Sequence, residues 1–265
     1  MTACTLLADL VSILEAQRRQ KPANMPTYNE STFAHHAIMR HMQTRGTPPE
    51  PMLATGACQL RLQLLEALES ESCYMSSIWH IAHEAMAMTQ ASATQMGITL
   101  NSLLLGTLAW VLHDVSEQQC FAISQTYLGR TVEELRAVGS YSVSVPMVFD
   151  FSAEPSLQAV CGRVQRQTQQ VLARDVIVQS TQRTTVAYEL NDVRPIKRPV
   201  EAKHQLSAFV GHTFNFVDLF FYVNQHSDGY VVSVLYDKGT FDAAWVDECV
   251  ENWMGWWHGM HYLPS

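Results

Sequence analysis

The chain has no run of basic residues, no glycine-rich phosphate loop, no C-x-x-C pair and no long uninterrupted apolar stretch. Only 16% of its 265 residues are charged, and 25 acidic against 17 basic residues leave a net charge of -8. Without a basic patch, a polyanion-binding surface is disfavoured, so nucleic acid is not an expected partner. A membrane helix needs roughly 18 consecutive apolar residues. The most apolar window, Ile98 to Leu112, is broken by Thr99, Asn101, Ser102 and Thr107, so no membrane crossing is expected. The apolar N-terminus is interrupted by Asp9 and follows no basic segment, which argues against a signal peptide. The six cysteines (Cys4, Cys58, Cys73, Cys120, Cys161, Cys249) fall on apolar faces, where a reduced thiol behaves as a small hydrophobe; a reducing cytoplasm is the expected location.

What is present is helix and strand periodicity. Leu6, Leu7, Leu10, Ile13 and Leu14 share one helix face over Thr5 to Gln17, closed by Arg18, Arg19 and Lys21 at the negative helix end. A loop follows with Pro22 and Pro26, then a short helix through Met42 capped by Asn29 or Ser31. Gly46, Pro48, Pro49 and Pro51 mark a linker, which divides the chain into an N-terminal helical segment, 1–50, and a larger unit, 51–265.

In that unit Leu60, Leu62 and Leu64 alternate with Arg61 and Gln63, the pattern of a half-buried strand over 59–65. Helices are expected from about Ala82 to Met96, stopped by Gly97, and from a Thr99 cap to His113. Gln119 to Thr126 and Ser140 to Phe151 read as strands, and Pro155 opens a helix over 156–172. Asp175 to Lys203 has weak periodicity and two prolines, and reads as an irregular connection with room for a short helix. Thr213 to Asn224 and Gly229 to Tyr236 form a hairpin about His226-Ser227-Asp228-Gly229, and a last helix starts near Asp242. The succession predicts an α/β fold of the α+β two-layer sandwich type, a mixed sheet flanked by helices.

Side-chain clusters that carry chemistry are sparse. His35-His36 is followed by Ala37-Ile38-Met39-Arg40-His41 on a helix and reads as surface or packing histidine. His80 and His83 could share a helix face, with Glu84 adjacent, but lack the further ligands a metal needs. Trp253, Trp256 and Trp257 read as aromatic residues that dock a terminal helix on a sheet. Ser142 and Ser144 make one strand face small and hydroxylated, either a lining surface or an ordinary half-polar strand. No G-x-S-x-G elbow or supported Cys-His pair is present.

Three pieces of the chain resemble nonribosomal peptide synthetase condensation domains, in the chloramphenicol-acetyltransferase-like acyltransferase superfamily. They are the capped apolar helix from Thr99 to Leu112, the strand ending in Leu128-Gly129-Arg130, and Val138-Gly139-Ser140-Tyr141-Ser142-Val143-Ser144-Val145-Pro146, similar to a V-G-x-F-x-N-T-x-P strand. Tyr236, Phe241-Asp242 and the terminal helix resemble that family's closing Y-x-x-x-x-F-D element. The first 50 residues resemble the segment that follows the family's H-H-x-x-x-D-G motif, which on that alignment would stand just before Met1.

The resemblance implies the C-terminal part of a condensation domain, a chloramphenicol-acetyltransferase-like half plus N-terminal helices that belong to the other half. It implies amide or ester formation between acyl and aminoacyl groups tethered to carrier-protein phosphopantetheine, with no bound cofactor. The chemistry demands orientation of two tethered reactants and a proton-handling group. With no H-H-x-x-x-D-G in the chain, no catalytic residue is assigned, activity from this chain alone is not expected, and whether it acts as an enzyme stays open. Ser142, Ser144 and Tyr141 would line the tunnel; Arg130 would pair with the motif aspartate across the halves, beside Gly129 and Gly139. Val143 replaces the family asparagine, while Ser144 keeps a hydroxyl at the threonine position. The implied partners are carrier protein, other synthetase domains and a separate or truncated N-terminal half, with self-association through an exposed inter-half face as a further expectation. The rival reading is a non-catalytic module that docks a carrier protein or synthetase.

Overall fold

The computed structural model describes residues 17–20, 60, 62, 74–128, 142–153, 155–173, 184–192, 217–226 and 229–259. Its elements are β1 (Tyr74–Ala82), α1 (His83–Gln95), α2 (Leu100–Ser116), β2 (Cys120–Leu128), β3 (Ser142–Asp150), α3 (Leu157–Leu172), β4 (Val186–Asp192), β5 (Leu219–His226), β6 (Gly229–Asp237) and α4 (Ala243–Gly259). The six strands form one mixed sheet in the order β1-β6-β5-β4-β2-β3. β2, β4 and β5 are mutually parallel, and the other neighbouring pairs are antiparallel. The mixed sheet flanked by helices is the architecture expected from the sequence.

One sheet face carries Phe121, Ile123, Met147, Phe149, Val186, Tyr188, Leu219, Phe221, Val223, Val232 and Val234, packed against α2 and α4 in one core cluster. The period of two along each strand selects these positions. α2 is buried from Ser102 through Ala109 and again at Val111 and Leu112, so it is the central helix of that layer. Thr99 caps it by accepting from the Ser102 N–H at 3.2 Å, and Gln165 on α3 ties the cap down through the Ser102 hydroxyl at 2.7 Å. Trp253 on α4 is fully buried and donates from Nε1 to the Leu104 carbonyl at 3.0 Å. Trp257 is equally buried and Trp256 half-buried against Trp110, so the tryptophans dock the terminal helix as expected.

The sequence reading lacks two strands. β4 lies inside the segment read as irregular: Val186, Tyr188 and Leu190 alternate with Ala187, Glu189 and Asn191, and burial between β2 and β5 makes a strand of them. β1 precedes the helix expected from Ala82; its serines dilute a pattern carried by Trp79 and Ile81. The hairpin β5–β6 and its antiparallel register are as expected. Of the alternating leucines, Leu60 and Leu62 are described and both are buried, and the Thr185 hydroxyl donates to the Leu60 carbonyl at 2.6 Å. Of the segment 1–50 only Gln17–Gln20 is described: Gln17 and Arg18 are helical, and the chain turns at Gln20, with φ of 52°. The linker, the boundary at residue 50 and His35-His36 otherwise lie outside the described residues.

Among the described residues no single helix is long and apolar enough to cross a membrane. Cys161 and Cys249 are buried free thiols, and Cys120 is half-buried.

Candidate functional site

Because β2, β4 and β5 run parallel, their carboxyl ends lie at one edge of the sheet, the place where open α/β sheets most often hold ligands. On the face away from α2 and α4, this edge gathers polar side chains. Ser144 on β3 stands opposite Thr126 on β2, and their hydroxyls are 3.3 Å apart. The parallel register of Ser124 with Ala187 and Gln125 with Tyr188, carried on by one residue, brings Thr126 beside Glu189. Glu189 pairs with Tyr222 on β5, and Tyr222 with Ser233 on β6. One row of polar groups therefore crosses five strands.

One step further toward the strand ends, Asn191 Nδ2 donates to Asn224 Oδ1 at 3.3 Å. Ser142 is exposed, and Ser144, Thr126, Glu189, Asn191, Tyr222 and Asn224 are half-buried. The row is thus reachable from solvent at this edge. The face hardens away from it: Ala122, Ser124, Ala187, Phe220 and Leu235 are all buried.

The electrostatics follow chiefly from burial. Desolvation raises the Glu189 carboxyl above the ordinary carboxylate range, against the opposing pull of the Asn191 hydrogen bond. Burial likewise raises the Tyr222 phenol, and the neighbouring Glu189 charge adds to it. The arrangement offers hydroxyl and amide groups that donate and accept, plus one carboxyl whose charged form burial disfavours. Such a row can hold a polar linear substrate by hydrogen bonds.

Of the residues expected at the site, the structure brings Ser142 and Ser144 to this edge. Gly129, Arg130, Gly139 and Tyr141 lie outside the described residues, although Gly129 follows β2 and Tyr141 precedes β3 in the chain. Val143 points to the helix side, buried with Tyr127, Val145 and Val171, where an apolar residue fits. His80 ends no helix turn with His83: it is a strand residue, His83 is the first residue of α1, and no metal-holding group of three or more His, Cys, Asp or Glu occurs among the described residues. Sequence reasoning missed Thr126, Glu189, Asn191, Tyr222 and Asn224. The signal for Glu189 and Asn191 was the alternation in Val-Ala-Tyr-Glu-Leu-Asn.

The sequence matches no protein-family model and no curated protein. Solved structures do match. The X-domain in complex with OxyB from teicoplanin biosynthesis is similar with a TM-score of 0.71 at 16% identity, over 98% of this chain and 64% of that one. The PapA2 acyl transferase matches with 0.70 at 13% identity, over 96% and 63%. The first condensation domain of the CDA synthetase matches with 0.67 at 13% identity, over 98% and 61%. The chain therefore spans less than two thirds of the length of these structures. What it shares with them is the condensation-like fold, the mixed sheet and flanking helices expected from Thr99–Pro146.

Proposed function

We propose that the chain is part of a condensation-type acyltransferase of nonribosomal peptide synthesis, inactive alone, working in the cytoplasm on groups carried by carrier-protein phosphopantetheine. The observation that carries this reading is the Ser144–Thr126 hydroxyl pair at the carboxyl ends of three parallel strands, in a chain with the condensation-like fold. In the reaction an amine or hydroxyl attacks the donor thioester carbonyl; the new C–N or C–O bond forms, the C–S bond breaks, and the proton of the nucleophile ends on the leaving thiol. This chain's share is to orient the tethered arms: Ser142, Ser144 and Tyr141 as the tunnel wall, with Gly129, Gly139 and Arg130 beside the opposing half, Arg130 pairing with an aspartate supplied by it. The proton-handling group belongs to that opposing half.

A second reading has an observation in its favour. One of the similar structures is an X-domain in complex with OxyB. A non-catalytic module that docks a carrier protein or another synthetase domain fits the same fold without a catalytic motif.

The test is titration of the full chain with an aminoacyl-loaded carrier protein, followed by amide formation with and without an added N-terminal half carrying H-H-x-x-x-D-G. Binding with activity only when the half is added supports the first reading. Binding with no activity in either case supports the second. Amide formation by the chain alone overturns both, as does no binding at high micromolar carrier.

A further inference from the structure

Hydroxyls and amides are enough to hold a neutral tether by hydrogen bonds, yet the middle of the polar row carries a carboxyl. Glu189 stands half-buried between Thr126 on β2 and Tyr222 on β5. The fold also fixes its direction. Asn191, two residues further along β4, hydrogen-bonds the Glu189 carboxyl and donates from Nδ2 to Asn224 Oδ1 at 3.3 Å, so one side-chain amide braces the carboxyl against β5.

The surroundings select the charge of a ligand. The rows that cross the sheet through Glu189 and Asn191 contain, among the described residues, no lysine or arginine and no second carboxyl. Their one base, His80, is exposed on β1, two strands from Asn224. Beside Glu189, Tyr222 stacks on Phe220 with ring centroids 3.9 Å apart, so the carboxyl borders aromatic surface, which also attracts cations. A half-buried carboxyl is poorly shielded by water, and an arriving cation stabilises its charged form. The net charge of -8 draws cations toward the chain and turns anions away.

The chemistry of the reaction narrows the cation further. An amine attacks a thioester in its unprotonated form, and a carboxylate beside it would hold it charged and unreactive. The group at Glu189 is therefore a second amine, separate from the nucleophile. Neighbouring strands lie about 5 Å apart, so Glu189 on β4 is about 10 Å from Ser144 on β3, a gap that an extended aliphatic side chain and the carboxyl's own reach close together. We propose that Glu189, flanked by Tyr222, is the counter-ion for an aliphatic ammonium on the side chain of one tethered substrate, so that this face selects basic aminoacyl groups of the lysine type over neutral and acidic ones. Only the tether rests on the acyltransferase reading; binding of the ammonium needs neither a carrier nor an opposing half.

The isotope-labelled full chain is titrated with Nα-acetyl-lysine amide, neutral Nα-acetyl-norleucine amide, acidic Nα-acetyl-glutamate amide and alaninamide, each to about 50 mM, while nuclear magnetic resonance follows the side-chain amides of Asn191 and Asn224. The lysine derivative is expected to shift both amides saturably, with an affinity at least about tenfold above each of the other three. This comparison needs no variant. Glu189→Gln, which keeps an acceptor for Asn191, brings the lysine derivative down to the norleucine level, whereas Asp247→Asn, at an exposed position on α4, leaves it within about twofold. Equal binding of the norleucine or glutamate derivative overturns the proposal, as does alaninamide binding as tightly as the lysine derivative. So does lysine-derivative binding that Glu189→Gln leaves unchanged, or no shift with any probe. Failure of carrier binding or of amide formation, with these shifts intact, overturns the acyltransferase reading and leaves the ammonium site standing.

Discussion

Gly106 on α2 lies directly against Cys161 on α3: a Cβ placed on Gly106 would stand 2.5 Å from the Cys161 sulfur and 3.0 Å from its Cα. The two helices therefore meet at backbone distance, which is why α2 can sit at the centre of the helical layer with small residues on that side.

That contact predicts an inverted alanine effect. In an open helix position Gly→Ala gains about 0.5–1 kcal/mol. Gly255 on α4 has nothing within 4 Å of its would-be Cβ, and Gly255→Ala is expected to show that gain in urea unfolding. Gly106→Ala instead loses about 1–3 kcal/mol, because the Cys161 backbone has to move.

The Tyr188 hydroxyl is buried on the helix side, edge-on to Trp253, and has no hydrogen-bond partner among the described residues. Tyr188→Phe removes a desolvated group that nothing repays, so it stabilises by about 1–3 kcal/mol in thermal or urea unfolding. A loss of stability on that change would mean that a buried water satisfies the hydroxyl.

Glu189 gives a pH dependence with a defined sign. Its carboxyl is raised in the folded chain above its ordinary value of 4.5, so the folded state holds the proton more tightly than the unfolded state does. The stabilisation it contributes is full below pH 4.5 and is lost as pH rises through the raised value. Glu189→Gln keeps the hydrogen bonding without the ionisation, and is expected to flatten the fall in stability above that point. A stability–pH profile identical in the two proteins would refute the assignment.

Burial pushes the thiols of Cys161 and Cys249 up to about 12. At pH 8 the thiolate fraction is then on the order of one in ten thousand. Mass mapping after iodoacetamide treatment should find both unmodified in the folded protein and modified in denaturant. Fast labelling of either in the native state would contradict their placement in the core.

Much of the fold is legible in short stretches of sequence. The Thr99 cap and the stop at Gly97 sit where local hydrogen-bonding rules put them, since a cap is decided within three or four residues, whereas α3 starts at Leu157 with Ser156 as its cap, so Pro155 precedes the helix and is not in its first turn. The hairpin β5–β6 is legible for the same reason, with Gly229 at φ of 150° and packed against the Ile81 carbonyl, where a side chain would not fit. The site is less legible. Ser142 and Ser144 stand out by alternation, but their neighbours Thr126, Glu189 and Tyr222 come from β2, β4 and β5, and no local pattern states that these strands are adjacent.

The sequence by itself determined the elements with strong periodicity or caps, the mixed α/β character and the hydroxylated face of β3, because each depends on interactions a few residues apart. Only the tertiary structure decided that β4 is a strand, that β2, β4 and β5 run parallel, and that α3 covers the β3 edge of the sheet. Those outcomes depend on contacts such as Thr184 with Ser124, 60 positions apart at 2.9 Å. Parallel pairing closes long loops and is stabilised only once both partners are buried together, so its signal is carried by the assembled core and not by any single segment.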